Sequence, residues 1–168
     1  MAAADPAEFF GAFFETAAAA AAWREALRAD GKRVVFTNGC FDVVHAGHVG
    51  YLAWARSQGD ALIIGLNSDD SVRRIKGEKR PIVPFAERAR ILCALRSVDA
   101  VVGFGERTPE VLLDALKPNV HVKSAQYRED ELAERDVVLR HGGEIRLAPH
   151  LEGISTTDTI ARIISRYA

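Results

Sequence analysis

Two histidines three residues apart, His45 and His48, stand in the stretch Gly39-Cys40-Phe41-Asp42-Val43-Val44-His45-Ala46-Gly47-His48, just after the apolar run Val34-Val35-Phe36. Such a pair suits one of three tasks: holding a metal, moving a proton, or binding a phosphate. Cys40, His45 and His48 could begin a zinc site, but closed sites usually take four ligands, and no Cys-x-x-Cys or His-Glu-x-x-His pattern supplies the rest. A nucleophilic pair using Cys40 lacks an evident orienting group, and a cysteine following a buried strand is more often core. No Gly-x-Gly-x-x-Gly marks this turn, which argues against a nicotinamide or flavin. Phosphate fits best. The spacing puts both rings on one face of a first helical turn, where unpaired N–H groups and a partial positive charge attract anions. Gly39 and Gly47 allow close approach to the backbone. Helix capping is the plainer reading for either histidine taken alone.

This corner needs a strand before it and a helix after it. From Lys32 onward, β-rich runs at 34–37, 61–66, 100–104, 120–123 and 144–147 alternate with segments of helical spacing at 48–59, 84–98, 108–118, 129–143 and 155–167. The pattern predicts an α/β fold: a Rossmann-like, doubly wound sheet of five parallel strands with helices on both faces and a ligand crevice beyond the strands' carboxyl ends. Ahead of it, Asp5, Pro6 and Glu8 read as a helix start and Asp30-Gly31 as its end, with Phe9, Phe10, Phe13 and Phe14 as an apolar stripe. Residues 1–30 are therefore expected to be an N-terminal helical extension, packed on its own domain or against a second subunit, and residues 31–168 a single domain.

The 168 residues, 48% hydrophobic, are enough for one core. A formal net charge of -1 offers no broad cationic surface, so polymeric nucleic acid is not expected as a partner. Two cysteines give no disulfide framework, and a cytoplasmic protein is expected. The alanine run from Thr16 to Trp23 lacks the positive start of a signal peptide, since Arg24 is the first basic residue. No apolar run approaches the roughly 20 residues that a membrane span requires.

Gly39 to His48 also matches the signature Gly-x-Phe-Asp-x-x-His-x-Gly-His, and Glu152-Gly153-Ile154-Ser155-Thr156-Thr157 matches a second one that opens the last helix. With both motifs in order, the chain from roughly residue 31 to 168 resembles the cytidylyltransferase-like nucleotidyltransferases. Residues 34–52, 65–84 and 151–157 look most like the heptose 1-phosphate adenylyltransferases, which make ADP-heptose. In many bacteria that activity is one half of a bifunctional protein. No sugar-kinase domain precedes the motifs here, so a stand-alone form is expected. The resemblance implies ATP and D-glycero-D-manno-heptose 1-phosphate as substrates, pyrophosphate as product, Mg2+ held mainly by the triphosphate, and a homo-oligomer such as a dimer.

The residues suit that chemistry. A sugar phosphate attacking an α-phosphorus is already anionic and needs no general base, so catalysis reduces to positioning and charge stabilisation. His45 and His48 are the expected α-phosphate donors, with backbone N–H groups near Asn38, Gly39, Cys40, Phe41 and Gly47. Lys76 and Lys79 lie on a Gly- and Pro-bounded loop that can close over the triphosphate, with Arg88 on the next helix; the family position selects Lys76 as catalytic. Ser155 and Thr156, where a helix starts, suit the β- and γ-phosphates. Asp42, Asn67, Asp69, Lys123 and Gln126 are candidates for the acceptor side, Asp42 also as a brace for the turn.

Two departures bear on specificity. Heptose adenylyltransferases usually read Val-Lys-Gly-Gly-Asp-Tyr where this chain has Val122-Lys123-Ser124-Ala125-Gln126-Tyr127. Side chains replace two glycines, and an amide replaces a carboxylate that could bind sugar hydroxyls or metal. Similar cytidylyltransferases carry Arg-Thr-Glu-Gly-Ile-Ser-Thr-Thr where this chain begins His150-Leu151, and histidine lacks arginine's permanently charged fork. ATP is therefore expected over CTP. The alternatives are a cytidylyltransferase acting on a polyol phosphate such as glycerol 3-phosphate, and a nucleotide-binding regulator with an altered acceptor pocket.

Overall fold

The computed structural model describes residues 10–149 and 155–167. Its frame is a parallel sheet of β1 (Ala12–Phe14), β2 (Val34–Gly39), β3 (Ala61–Asn67), β4 (Ala100–Phe104), β5 (Val120–Ser124) and β6 (Glu144–Ala148), in the order β1-β4-β3-β2-β5-β6. Around it lie α1 (Ala17–Ala29), α2 (Ala46–Arg56), α3 (Asp69–Lys76), α4 (Phe85–Cys93), α5 (Glu110–Leu116), α6 (Arg135–Arg140) and α7 (Thr156–Tyr167). β3 is buried throughout, as a central strand covered on both faces must be. Its side chains alternate between two cores: Leu62, Ile64 and Leu66 join Leu52 and Leu92 on one face, while Ile63 joins Phe36, Leu112 and Leu113 on the other.

The sheet has six strands where the sequence pattern gives five. The extra one falls in the segment expected to be helical. Gly11 N–H donates to Cys93 O at 2.7 Å and Ala12 N–H to Asp99 O at 2.9 Å, and Ala12–Phe14 then pair with Ala100–Val102. A Cβ on Gly11 would stand 2.6 Å from Val98 O, so this close approach requires glycine. The phenylalanines divide as a strand divides them: Phe13 meets Phe85 and Phe14 meets Trp23, at ring centroid distances of 6.1 and 5.8 Å. The helix begins only at Ala17, where the Thr16 hydroxyl oxygen accepts the Ala19 N–H at 3.2 Å. Asp5, Pro6, Glu8 and Phe9, read as the helix start, lie outside the described residues.

Two other stretches differ. Lys76, expected on a loop, is the last residue of α3, which Ser68 caps and Gly77 ends at φ 97°. The expected helix over 129–143 is broken into a 3-10 turn at Glu129–Glu131 and α6, because Leu132 between them is extended. Among the described residues, no helix is long and apolar enough to cross a membrane.

β2 pairs with β3 on one side and with β5 on the other, so chain order reverses between β2 and β5. The carboxyl ends of these strands, Asn38-Gly39 and Lys123-Ser124, flank the switch-point crevice where ligands of such sheets bind.

Candidate active site

The corner after β2 is a tight turn. Phe41 and Val43 have φ of 45° and 51°, an uncommon state for an aromatic and a β-branched residue. Gly39 makes room for the Phe41 ring, which would stand 3.0 Å from a Cβ there. Asp42, wholly buried, fixes the turn: its carboxylate accepts the N–H groups of Ile82 and Val83, each at 2.9 Å, and the Arg80 Nε–H. Burial opposes its ionisation, but these donors outweigh burial and hold the carboxyl below its usual range.

His45 is the N-cap of α2. Its Nδ1 accepts the His48 N–H at 3.4 Å, which leaves the ring proton of neutral His45 on Nε2. The two imidazoles stack with centroids 3.8 Å apart and planes 22° apart, and Phe41 lies 5.3 Å from His48. Burial lowers both: His45 falls below its ordinary value, and burial together with His45 takes His48 to about 4. Both rings are therefore neutral at pH 7. His48 Nδ1 is buried without a hydrogen-bond partner among the described residues. Burial pushes the Cys40 thiol up against the pull of Lys76 and Arg88, so Cys40 is not poised as a thiolate nucleophile.

One cleft of about 660 Å³ joins this corner to the rest of the site. Fourteen of the sixteen residues singled out from sequence line it: His45, His48, Lys76, Asn38, Gly39, Cys40, Phe41, Gly47, Ser155, Thr156, Asp42, Asn67, Lys123 and Gln126. Arg88 and Asp69 do not. Arg88 is fully buried and donates to Val83 O at 2.9 Å, Cys40 O at 2.6 Å and Asp69 Oδ1 at 2.7 Å. It braces the corner from behind and engages Asp69 in doing so. Thr156 donates its hydroxyl proton to Asp42 O at 2.9 Å, tying α7 to the same corner, while Ser155 caps α7 by accepting the Asp158 N–H at 3.0 Å.

Four charged residues that the motifs did not single out also line the cleft: Arg80, Arg107, Glu131 and Glu134. Lys79, nominated beside Lys76, is not among the lining residues. The sequence marked a basic loop at 76–80, but which cation faces inward is decided by the Asp42 contact to Arg80 Nε. Glu134 had no local signal. It is 3% exposed and sits at the N-cap position of α6 without making a capping bond. Its Oε1 instead meets Lys123 Nζ at 2.8 Å and His121 Nε2 at 3.2 Å, and Lys123 also donates to Asn38 Oδ1 at 3.3 Å. Ser124 and Ala125 do not have positive φ, so this backbone does not require the glycines of the resembling sequences.

Residues 36–162 match the cytidylyltransferase-like family. The chain belongs to that family. Other members similar to it are bifunctional proteins HldE: that of Pelobacter propionicus is 52% identical over 144 residues, 86% of this chain and 30% of the relative. The HldE of Geobacter sulfurreducens is 53% identical over 84% of this chain and 29% of its own length. The chain thus spans about 30% of the length of these relatives. Its fold is also that of a lipopolysaccharide core biosynthesis protein from Thermoplasma volcanium, with a TM-score of 0.60, 24% identity, and coverage of 72% of this chain and 98% of the other. The pantoate-beta-alanine ligase of Francisella tularensis shares the fold with a TM-score of 0.57 at 14% identity, over 93% of this chain and 78% of the other. His150 and Leu151, on which the choice between ATP and CTP was read for this family, lie outside the described residues.

Proposed function

We propose that this chain is a cytoplasmic nucleotidyltransferase that moves AMP from ATP to D-glycero-D-manno-heptose 1-phosphate, giving ADP-heptose and pyrophosphate. The observation that carries the reaction class is the stacked, neutral His45–His48 pair at the start of α2, in a cleft that also takes in Lys76 and Arg80. The acceptor rests on the resemblance to heptose adenylyltransferases across residues 34–52, 65–84 and 151–157, and on more than 50% identity to the HldE proteins. A match to about 30% of a bifunctional protein is what one of its parts would give.

An anionic oxygen of the acceptor phosphate attacks the α-phosphorus, the α–β bridging bond breaks, and its electron pair leaves on pyrophosphate. No proton has to be removed from the nucleophile. Charge builds on the α-phosphoryl oxygens and on the leaving group. His45 donates through Nε2–H, His48 lies stacked behind it, and the N-terminus of α2 adds its partial positive charge. Lys76 and Arg80 are the cations for the β- and γ-phosphates, with the Ser155 and Thr156 hydroxyls at the start of α7. Among the described residues, no group of three or more His, Cys, Asp or Glu side chains is arranged to hold a metal ion. Mg2+ is expected from the family resemblance; it would be held mainly by the triphosphate oxygens and would supply charge neutralisation there.

Pyrophosphate release with ATP or CTP, screened against heptose 1-phosphate, other sugar 1-phosphates and glycerol 3-phosphate, tests this reading. ATP with the heptose phosphate is expected to be fastest. Faster turnover of CTP with glycerol 3-phosphate overturns it, and another sugar 1-phosphate used more rapidly overturns the acceptor alone. Tight ATP binding with no pyrophosphate released would identify a regulator.

A further inference from the structure

The second substrate must bring its phosphate beside the histidine corner, because its oxygen attacks the phosphorus held there. The neighbouring ground is the crevice between β2 and β5, where Asn38 and Lys123 face each other. Lys123 is the cation of this wall; Lys76 and Arg80 come from α3 and the loop after it. Its ammonium has three N–H groups. One is directed to Glu134 Oε1 at 2.8 Å and one to Asn38 Oδ1 at 3.3 Å, while the Tyr127 ring lies 5.2 Å away. The Lys123 side chain keeps 14% of its surface exposed, whereas Glu134 and His121 behind it are closed off at 4% and 0%.

A long, flexible lysine stem does not hold such a position by itself, since free lysine samples many rotamers. Glu134 supplies the hold, and it comes from a different segment. Its carboxylate takes both its donors on one oxygen, from Lys123 on the cleft side and His121 on the buried side. Burial keeps His121 neutral, so its Nε2–H can serve Glu134 as a fixed donor rather than as a second charge. The remaining Lys123 N–H group is left for the crevice.

We propose that Glu134 is a positioning residue for the second substrate: it holds the Lys123 ammonium in the β2–β5 crevice, where Lys123 binds the acceptor's phosphate group. The inference rests on the nucleotidyl-transfer reading of the cleft but not on the identity of the sugar. It makes Glu134 act through Lys123, with no contact of its own to substrate.

The test loads the protein with α,β-methylene-ATP, so that the histidine corner is filled, and then titrates inorganic phosphate and, separately, heptose 1-phosphate. Binding is followed by NMR of backbone amides and of the Lys123 ammonium, with thermal unfolding measured in parallel. Glu134→Gln and Lys123→Met should each weaken both probes about tenfold or more, with ATP-analogue affinity changed less than about twofold, and the double variant should bind no more weakly than Lys123→Met alone. Multiplying losses in the double variant, or a loss confined to heptose 1-phosphate, would mean that Glu134 touches the sugar itself and would overturn the proposal. Equal loss of analogue binding would reduce Glu134 to a structural role and overturn it too. Should Glu134→Gln not fold, Glu134→Asp is read instead, and an unchanged Lys123 response to phosphate in that variant overturns the proposal. A wild type that binds phosphate through Lys123 but not heptose 1-phosphate would sink the acceptor reading and leave the role of Glu134 standing.

Discussion

The two walls of the cleft are built on opposite plans. The histidine corner comes from one ten-residue stretch: strand end, strained turn and helix start follow each other from Gly39 to His48, and its donors are neutral. The wall at β5 is assembled from separate elements, Asn38 on β2, His121 and Lys123 on β5 and Glu134 ahead of α6, and its charges are paired before any ligand arrives. A neutral donor at a helix start gains most when charge develops against it, which suits a site for the reacting phosphorus. A paired ammonium loses rotamer freedom in advance, which suits a site for holding a substrate. The corner should therefore govern turnover and the β5 wall affinity.

The sharpest way to break that division is at the histidines. His45→Ala and His48→Ala should each lower kcat by about 100-fold or more with ATP affinity within a few fold, because the His45 donor acts mainly in the transition state and the stacked His48 ring holds it in place. Steady-state kinetics beside equilibrium ATP binding checks this, and equal losses in both would place the corner with the binding wall. Full activity after stripping transition metals and restoring Mg2+ would separate phosphate contact from zinc ligation.

The Asp42–Arg80 contact is expected to have the next largest effect. Arg80→Ala should cost about tenfold or more in kcat/KM for ATP, and Arg80→Lys should recover little, because lysine has neither the Nε–H that meets Asp42 nor a planar fork for phosphate. Complete rescue by lysine would show that charge alone matters at that position.

Hydrogen exchange resolves the loop after α3. The amides of Ile82 and Val83 donate to Asp42 and should be protected with or without ATP, whereas 78 and 79 should become protected only with ATP and magnesium. Uniform exchange across 77–83, unaffected by ATP, would remove the idea of a lid anchored at one end.

A smaller effect is expected in stability against pH. His48 titrates near 4 when folded and near its ordinary 6.5 when unfolded, so the unfolded chain binds more protons between those values. The apo protein should lose roughly 3 kcal/mol from this group as pH falls through that window, and His48→Gln should flatten the slope of denaturant-derived stability there. Bound nucleotide should shrink the slope, since phosphate favours the imidazolium. The smallest change is expected from Ser124→Gly, Ala125→Gly and Gln126→Asp together: a fall of a few fold in KM for the heptose phosphate, with kcat unchanged, because the backbone there already lacks positive φ.

The alternation of strands and helices after Lys32 was legible because sheet and helix periodicities are local, and so was the histidine corner, whose parts are contiguous. The edge strand at Ala12–Phe14 was not, because four phenylalanines near a run of alanines read as a helical stripe. Only the approach of Gly11 to Cys93 and Val98 shows why that stretch is extended. Arg88 illustrates the same limit at the site: its charge was visible and its burial was not.

By itself, then, the sequence determined the α/β alternation, the helix-start phosphate corner with His45 and His48, and the family signatures, all set by spacing over a turn or a strand. Tertiary structure decided which charges face the cleft and which are engaged elsewhere. Asp42 with Arg80 rather than Lys79, Arg88 with Asp69, and Glu134 with Lys123 and His121 are pairings between residues 11 to 38 positions apart. The fate of a charge depends on the partner that desolvation forces it to find, and that partner is brought near only when the sheet closes its two walls around the crevice.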